Sequence, residues 1–235
     1  MDTKLQLVGA KISTFTRTIR MALKHHKAPY DLILAAPHSD KLKQYTPFGK
    51  IPVLLVPGRS LPLIETLVIR TYIDAAYAPD TKLDPTTSSV SLSPSDFESQ
   101  LTVNFWISIT ADHVFKNLIF GIVKPRAAME SMGESEHMIK DRLKEHMDLA
   151  LRTFANLNDA LTKSNDYDGP FILGEQLTWA DLFLFPPMAD LFSLPEAEEF
   201  KNAAPKLWLW YQHFEKLDLA KSTFDGTVAH QRSLV

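Results

Sequence analysis

The chain has 235 residues, 45% of them hydrophobic and 23% charged, with a formal net charge of −3. That balance can fill one large core or two small ones, and it gives no electrostatic reason to expect nucleic acid or an anionic membrane as a partner. There is no cysteine, which excludes disulfides, thiolate metal sites and cysteine nucleophiles, so any sulfur chemistry must come from a bound ligand.

No apolar run reaches the roughly 18 residues that a membrane-spanning helix needs. The opening Met1-Asp2-Thr3-Lys4-Leu5-Gln6-Leu7-Val8 carries no secretory pattern. A soluble, cytoplasmic protein is expected.

Residues 4–9 read as a short buried strand. Residues 13–27 read as a helix, with Ile19, Ala22 and Leu23 on an apolar face and Arg17, Arg20 and Lys24 free to stay wet. His25, His26 and Lys27 fall in its last turn, where positive charge suits the helix dipole, and Pro29 stops it. Adjacent histidines point in different directions and make a poor metal pair, so no metal is expected. Residues 30–34 alternate like a second strand.

A polar stretch at 38–45 leads to Pro47 and Gly49, which mark a turn, and Pro52 heads a buried strand. Pro57-Gly58-Arg59-Ser60 turns the chain into a short strand at 61–64. Ile64, Leu67, Val68, Thr71, Tyr72 and Ala75 then recur at helical spacing. Residues 79–95, rich in Pro, Ser, Thr and Asp, have the composition of a linker. Beyond it only helical patterns occur, near 96–124, 137–163, 178–192 and 204–217. The order βαβ, ββα, then helices alone predicts an α/β domain over 1–78, a linker over 79–95 and an all-α domain over 96–235.

Ser13 closes the first strand and opens the first helix, where its hydroxyl and the first backbone N–H groups can donate to an anion. The plainer role of a helix cap is compatible with that one. Thr178 and Asp181 form a capping-box signal ahead of an apolar run and read as structural. Of Phe105, Trp106, Phe115 and Phe120, most are expected in the core.

Four segments in register carry a family resemblance: Ser13-Thr14-Phe15-Thr16-Arg17-Thr18-Ile19-Arg20, Pro47-Phe48-Gly49-Lys50-Ile51-Pro52-Val53-Leu54, Ile64-Glu65-Thr66 with the helix that follows, and Phe171-Ile172-Leu173-Gly174 through Asp181. Together they resemble the soluble glutathione transferases, over essentially the whole chain. The resemblance implies a thioredoxin-like glutathione-binding domain followed by a helical domain that builds the second-substrate pocket. It implies glutathione as co-substrate, with Ser13 stabilising its thiolate, and Thr14 and Thr16 as stand-in donors where relatives often have a proline after the catalytic residue. Lys50 is then suited to the glycyl carboxylate. Ile51, before a cis Pro52, would pair with the cysteinyl backbone. Glu65 would accept from the γ-glutamyl ammonium, and Thr66 would hold that residue's carboxylate.

The same resemblance implies a homodimer, a small apolar electrophile as second substrate, and a pocket bordered by the first helix after the linker, with one or two of Phe105, Trp106, Phe115 and Phe120 facing it. The lack of cysteine disfavours glutaredoxin-like or dehydroascorbate-reductase chemistry. A glutathione-dependent carrier with little turnover is the alternative reading, since fold alone does not separate the two.

Overall fold

The computed structural model of the chain describes residues 4–77, 90–164 and 169–234. Most of the expected 79–95 linker therefore lies outside the described residues. The chain divides into two compact units, Met1–Ser93 with Asp218–Thr227, and Pro94–Leu217 with Val228–Val235.

The first unit runs β1 (Leu5–Gly9), α1 (Thr14–His25), β2 (Tyr30–Leu34), α2 (Asp40–Lys43), β3 (Val53–Leu55), β4 (Leu63–Ile64) and α3 (Thr66–Tyr77). The sheet order is β2-β1-β3-β4, with β1 parallel to β2 and antiparallel to β3, and β3 antiparallel to β4. Alternation along β1 splits the core in two. Val8 packs with Ala35, Leu42 and Val53 on the α2 face. Gly9 faces α1, where a Cβ would lie 2.5 Å from Thr16 Oγ1, so only glycine lets the first helical turn sit against the strand end. This is the small mixed sheet with helices that a thioredoxin-like domain requires. The short helix α2 lies in the stretch that read only as polar.

Two sequence expectations for α1 are corrected. Arg17 and Arg20 are buried, because a further helix of this unit, Asp218–Ser222, packs on α1, and its Ala220 with the following Thr223 accepts their hydrogen bonds. The histidines are not helix-end cations. His25 Nε2 lies 2.7 Å from the Val90 carbonyl oxygen. His26 is 1% exposed and stacks on Tyr77 with ring centroids 6.0 Å apart. Burial, reinforced by the neighbouring His25, lowers the His26 pKa from 6.5 to about 4.

Above pH 6.5 His26 is neutral in both folded and unfolded chains, and its stabilising contribution is complete; it is lost as pH falls towards 4, where the unfolded chain takes up the proton first. Between pH 7.5 and 5 the wild type should lose about 2 kcal/mol more than His26→Leu does. Denaturant unfolding of both proteins at the two pH values measures this, and equal losses would mean that His26 titrates normally.

The second unit is helical: α4 (Phe97–Ile109), a π-helical stretch (Thr110–Val123), α5 (Lys124–Ser131), α6 (Glu136–Ser164), α7 (Trp179–Phe192), α8 (Ala197–Ala203), α9 (Pro205–Phe214) and α11 (Val228–Arg232), with α10 the Asp218–Ser222 helix of the first unit. The pattern read at 96–124 is thus one continuous helical rod from 97 to 131 whose middle is wound more loosely. All fourteen residues of α7 are buried, so it is the central helix. Phe185 stacks on Phe214 at 4.3 Å, and Phe154 on Phe200 at 4.5 Å. Buried Arg126 is held by Glu130 (2.8 Å), Glu136 (2.7 Å) and Glu196 (2.5 Å), which supplies the charge partners an ion away from water needs.

The expected capping box is present: the Thr178 N–H donates to Asp181 Oδ2 at 2.9 Å. The expectation that the aromatics of the first long helix are mostly core fails. Trp106 is buried, with its Nε1–H 3.1 Å from Ser164 Oγ, but Phe105 and Phe120 are about half exposed. Phe120 carries the Lys124 ammonium 3.7 Å above its ring. No helix of the described residues is long and apolar enough to cross a membrane.

Candidate functional site

The sheet register gathers the segments singled out in the sequence. Val8 of β1 pairs with Val53 of β3, and Val53 pairs with Ile64 of β4. These three residues form one row across the sheet. Just past that row lie the loop from β1 into Ser13, the Lys50-Ile51-Pro52 approach to β3, and Glu65-Thr66 leaving β4. The starts of α1 and α3 therefore sit at the same end of the sheet as the start of β3, and α3 packs on α1. Backbone N–H groups at helix starts favour a bound anion.

Ser13 is half-buried and is the N-cap of α1. Its N–H donates to the Ala10 carbonyl at 3.0 Å, and its carbonyl accepts from the Arg17 N–H at 2.9 Å. Its Oγ accepts from the Thr16 N–H at 3.2 Å. A hydroxyl has one proton to give and two lone pairs. Capping uses a lone pair, so the cap and donor roles occupy different parts of one group. Thr16 does not qualify as a stand-in donor: it is fully buried, with its Oγ1 against Gly9 and without a hydrogen-bond partner among the described residues. Thr14 is buried too.

The Ile51-Pro52 peptide bond is cis, as Gly-Lys-Ile-Pro suggested. Ile51 is half-buried and Lys50 exposed. The turn before them is shaped by Gly49, at φ 67°, whose added Cβ would meet the His38 ring at 2.2 Å. Glu65 is exposed and holds φ 67°, the left-handed region that a residue with a Cβ occupies at a cost. Its carbonyl accepts from the Ile69 N–H at 3.0 Å, so it caps α3 with its backbone while its carboxylate stays in solvent. Thr66 follows, half-buried, at the first helical position. The strained backbone at Glu65 carries no signal in hydropathy or spacing.

The sequence model of the glutathione S-transferase N-terminal domain matches residues 12–76, and that of the C-terminal domain matches residues 140–213, together more than half of the chain. The chain belongs to the glutathione S-transferase family. All five glutathione-site positions expected from the sequence fall inside the N-terminal match.

Solved glutathione transferases share the fold along its whole length. Glutathione transferase F7 from Populus trichocarpa is 19% identical over 94% of this chain and 98% of its own, with a TM-score of 0.74. The Tau class enzyme of the mango Mangifera indica is 22% identical over 100% of this chain and 99% of its own, at 0.75. A glutathione S-transferase of Methylobacillus flagellatus, solved with glutathione bound, is 19% identical over 94% of this chain and 98% of its own, at 0.68. No curated protein matches the sequence.

Within this family member, the described residues hold no group of three or more His, Asp or Glu arranged to bind a metal ion. Arg17, expected on the wet face of α1, instead ties the first turn of α1 to Thr223 with its buried side chain.

Proposed function

We propose that the chain is a serine-type glutathione transferase, which binds glutathione at the β1–α1, β3 and β4–α3 ends and adds its thiolate to a small apolar electrophile. The observation that carries this reading is Ser13: a helix-capping serine at the shared end of the sheet, half-open, with its own O–H proton not committed to the cap. A thiolate placed there would accept that proton's hydrogen bond and lie at the positive end of α1. The free thiol, with a pKa of about 8.5, would then ionise at lower pH, which is what nucleophilic attack needs.

The remaining assignments divide the tripeptide by charge. Lys50 takes the glycyl carboxylate, the Ile51 backbone pairs with the cysteinyl residue, Glu65 accepts from the γ-glutamyl ammonium, and Thr66 with the start of α3 holds the α-carboxylate. The backbone of Glu65 supports its part. Glycine would take φ 67° freely, so a glutamate retained there at a cost argues for a use of its carboxylate. The reading further includes a homodimer, a cytoplasmic setting and a 1–78 glutathione-binding domain joined through 79–95 to the helical domain. Light scattering at micromolar concentration tests the dimer, and a monomer would remove it.

Glu65→Ala should weaken glutathione binding by about 10- to 150-fold, the cost of one charge-assisted hydrogen bond, while changing the melting temperature little because the side chain is exposed. Calorimetric titration with glutathione and a thermal melt separate the two effects. A fall in melting temperature with unchanged affinity would make Glu65 structural.

A further inference from the structure

The stretch that presents Ser13 is held by a part of the chain 206 residues further on. Arg17, in the first turn of α1 and 2% exposed, donates from Nε to Thr223 Oγ1 at 3.2 Å and from Nη2 to the Ala220 carbonyl at 3.2 Å. One turn later Arg20 Nη1 reaches the Thr223 carbonyl at 3.5 Å. Thr223 is itself buried; its hydroxyl has the Leu219 carbonyl at 2.8 Å and the Ala220 carbonyl at 3.3 Å as acceptors, and its oxygen accepts from Arg17 Nε. On the other side of Ser13, Lys11 forms an ion pair with Asp225. All of these groups belong to the first unit.

Arg17 is not a bystander to Ser13. Its backbone N–H closes the first helical turn on the Ser13 carbonyl at 2.9 Å, beside the Thr16 N–H that bonds Ser13 Oγ. A guanidinium with two fixed directional bonds sets where that turn lies. A hydrogen bond from Ser13 to a bound sulfur depends steeply on distance and angle, and displacement of a reacting group by about 1 Å from a remote change is enough to cost rate.

We propose that Thr223, acting through Arg17, is a positioning residue for Ser13, so that residues 218–227 complete the thiolate site without touching glutathione. This rests on the serine-type transferase reading. The exposed Lys11–Asp225 pair contributes less, since an ion pair in solvent is weak.

The test variant is Thr223→Val, which keeps the shape and removes the acceptor; Thr223→Ala replaces it if valine prevents folding, and Thr223→Ser is the rescue. Thiolate absorbance of bound glutathione is titrated, and kcat and KM are measured at pH 6.5 with 1-chloro-2,4-dinitrobenzene. Loss of the acceptor should raise the thiol pKa by about half to one unit and lower kcat roughly 3- to 10-fold, with KM for glutathione changed less than about twofold. Thr223→Ser should titrate as wild type. In a Ser13→Ala background the Thr223 change should shift the titration no further, because coupled residues are not additive. A lower melting temperature with an unmoved titration and kcat would overturn the proposal, leaving the wild type's own lowered thiol pKa and turnover intact. A wild type that does not depress the thiol pKa at all would instead remove the serine reading beneath it.

Discussion

Replacing Asp181 with alanine should cost about 3–5 kcal/mol of stability. The carboxylate is fully buried and accepts from the Ile172 N–H at 2.8 Å, the Thr178 N–H at 2.9 Å, the Trp210 Nε1–H at 3.0 Å and the Thr178 hydroxyl at 3.1 Å. Three of these donors have no other role they can adopt. Alanine would leave them buried and unsatisfied in three segments at once: the turn at 171–174, the cap of α7 and the middle of α9. Urea unfolding followed by circular dichroism measures the loss, and a change below about 1 kcal/mol would mean that water replaces the carboxylate.

The same carboxyl has a distinct pH signature. Burial raises its pKa from 3.8 to about 6, against the opposing pull of its four donors. A carboxyl raised in the folded state contributes fully below pH 3.8, and that contribution is lost as pH rises through 6. Asp181→Asn, which has no proton to lose, should therefore differ from wild type more at pH 4 than at pH 7.5.

Ser13→Ala should lower turnover by about 10- to 150-fold at pH 6.5, the cost of one hydrogen bond to a charged group of about 1.5–3 kcal/mol. The Ser13 hydrogen bond favours the charged sulfur, so removing it favours the neutral thiol. The pH–rate profile should move to higher pH, and the gap between variant and wild type should narrow as the pH rises past the variant's thiol pKa. Affinity for glutathione should change less, because Lys50, Ile51, Glu65 and Thr66 bind other parts of the tripeptide. Alanine also removes the cap on the Thr16 N–H, at about 1 kcal/mol of stability. Ser13→Gly, which restores much of the cap preference without the hydroxyl, separates the roles. Restored turnover in the glycine variant would make Ser13 a cap alone.

Much of this architecture was legible in the sequence. The strand expected at 4–9 is legible as a short buried run and the one at 30–34 by alternation, and Pro52 after Gly49-Lys50-Ile51 marks the cis bond. The capping box at Thr178 and Asp181 is a local pattern, legible within four residues. The misreadings concern contacts made far along the chain. Arg17 and Arg20 looked like a wet helix face because the hydrogen-bond acceptors at 220–223 lie about two hundred residues away, where no periodicity links them. His25 and His26 looked like dipole cations because their burial depends on α3 and on Val90. Phe105 and Phe120 looked like core because hydrophobicity alone does not say which side of a helix is covered. At the site, residue types and order were readable. The shared end of the sheet came from the register, and the strained backbone at Glu65 from its dihedral angle.

Every proposed role at the site requires that this chain bind glutathione as a thiolate at the start of α1. Thiolate absorbance of the wild-type binary complex, followed from pH 5 to 9.5 at saturating glutathione, measures it directly. A bound-thiol pKa at least one unit below the free value of about 8.5 is expected. A bound thiol that titrates with free glutathione would contradict it.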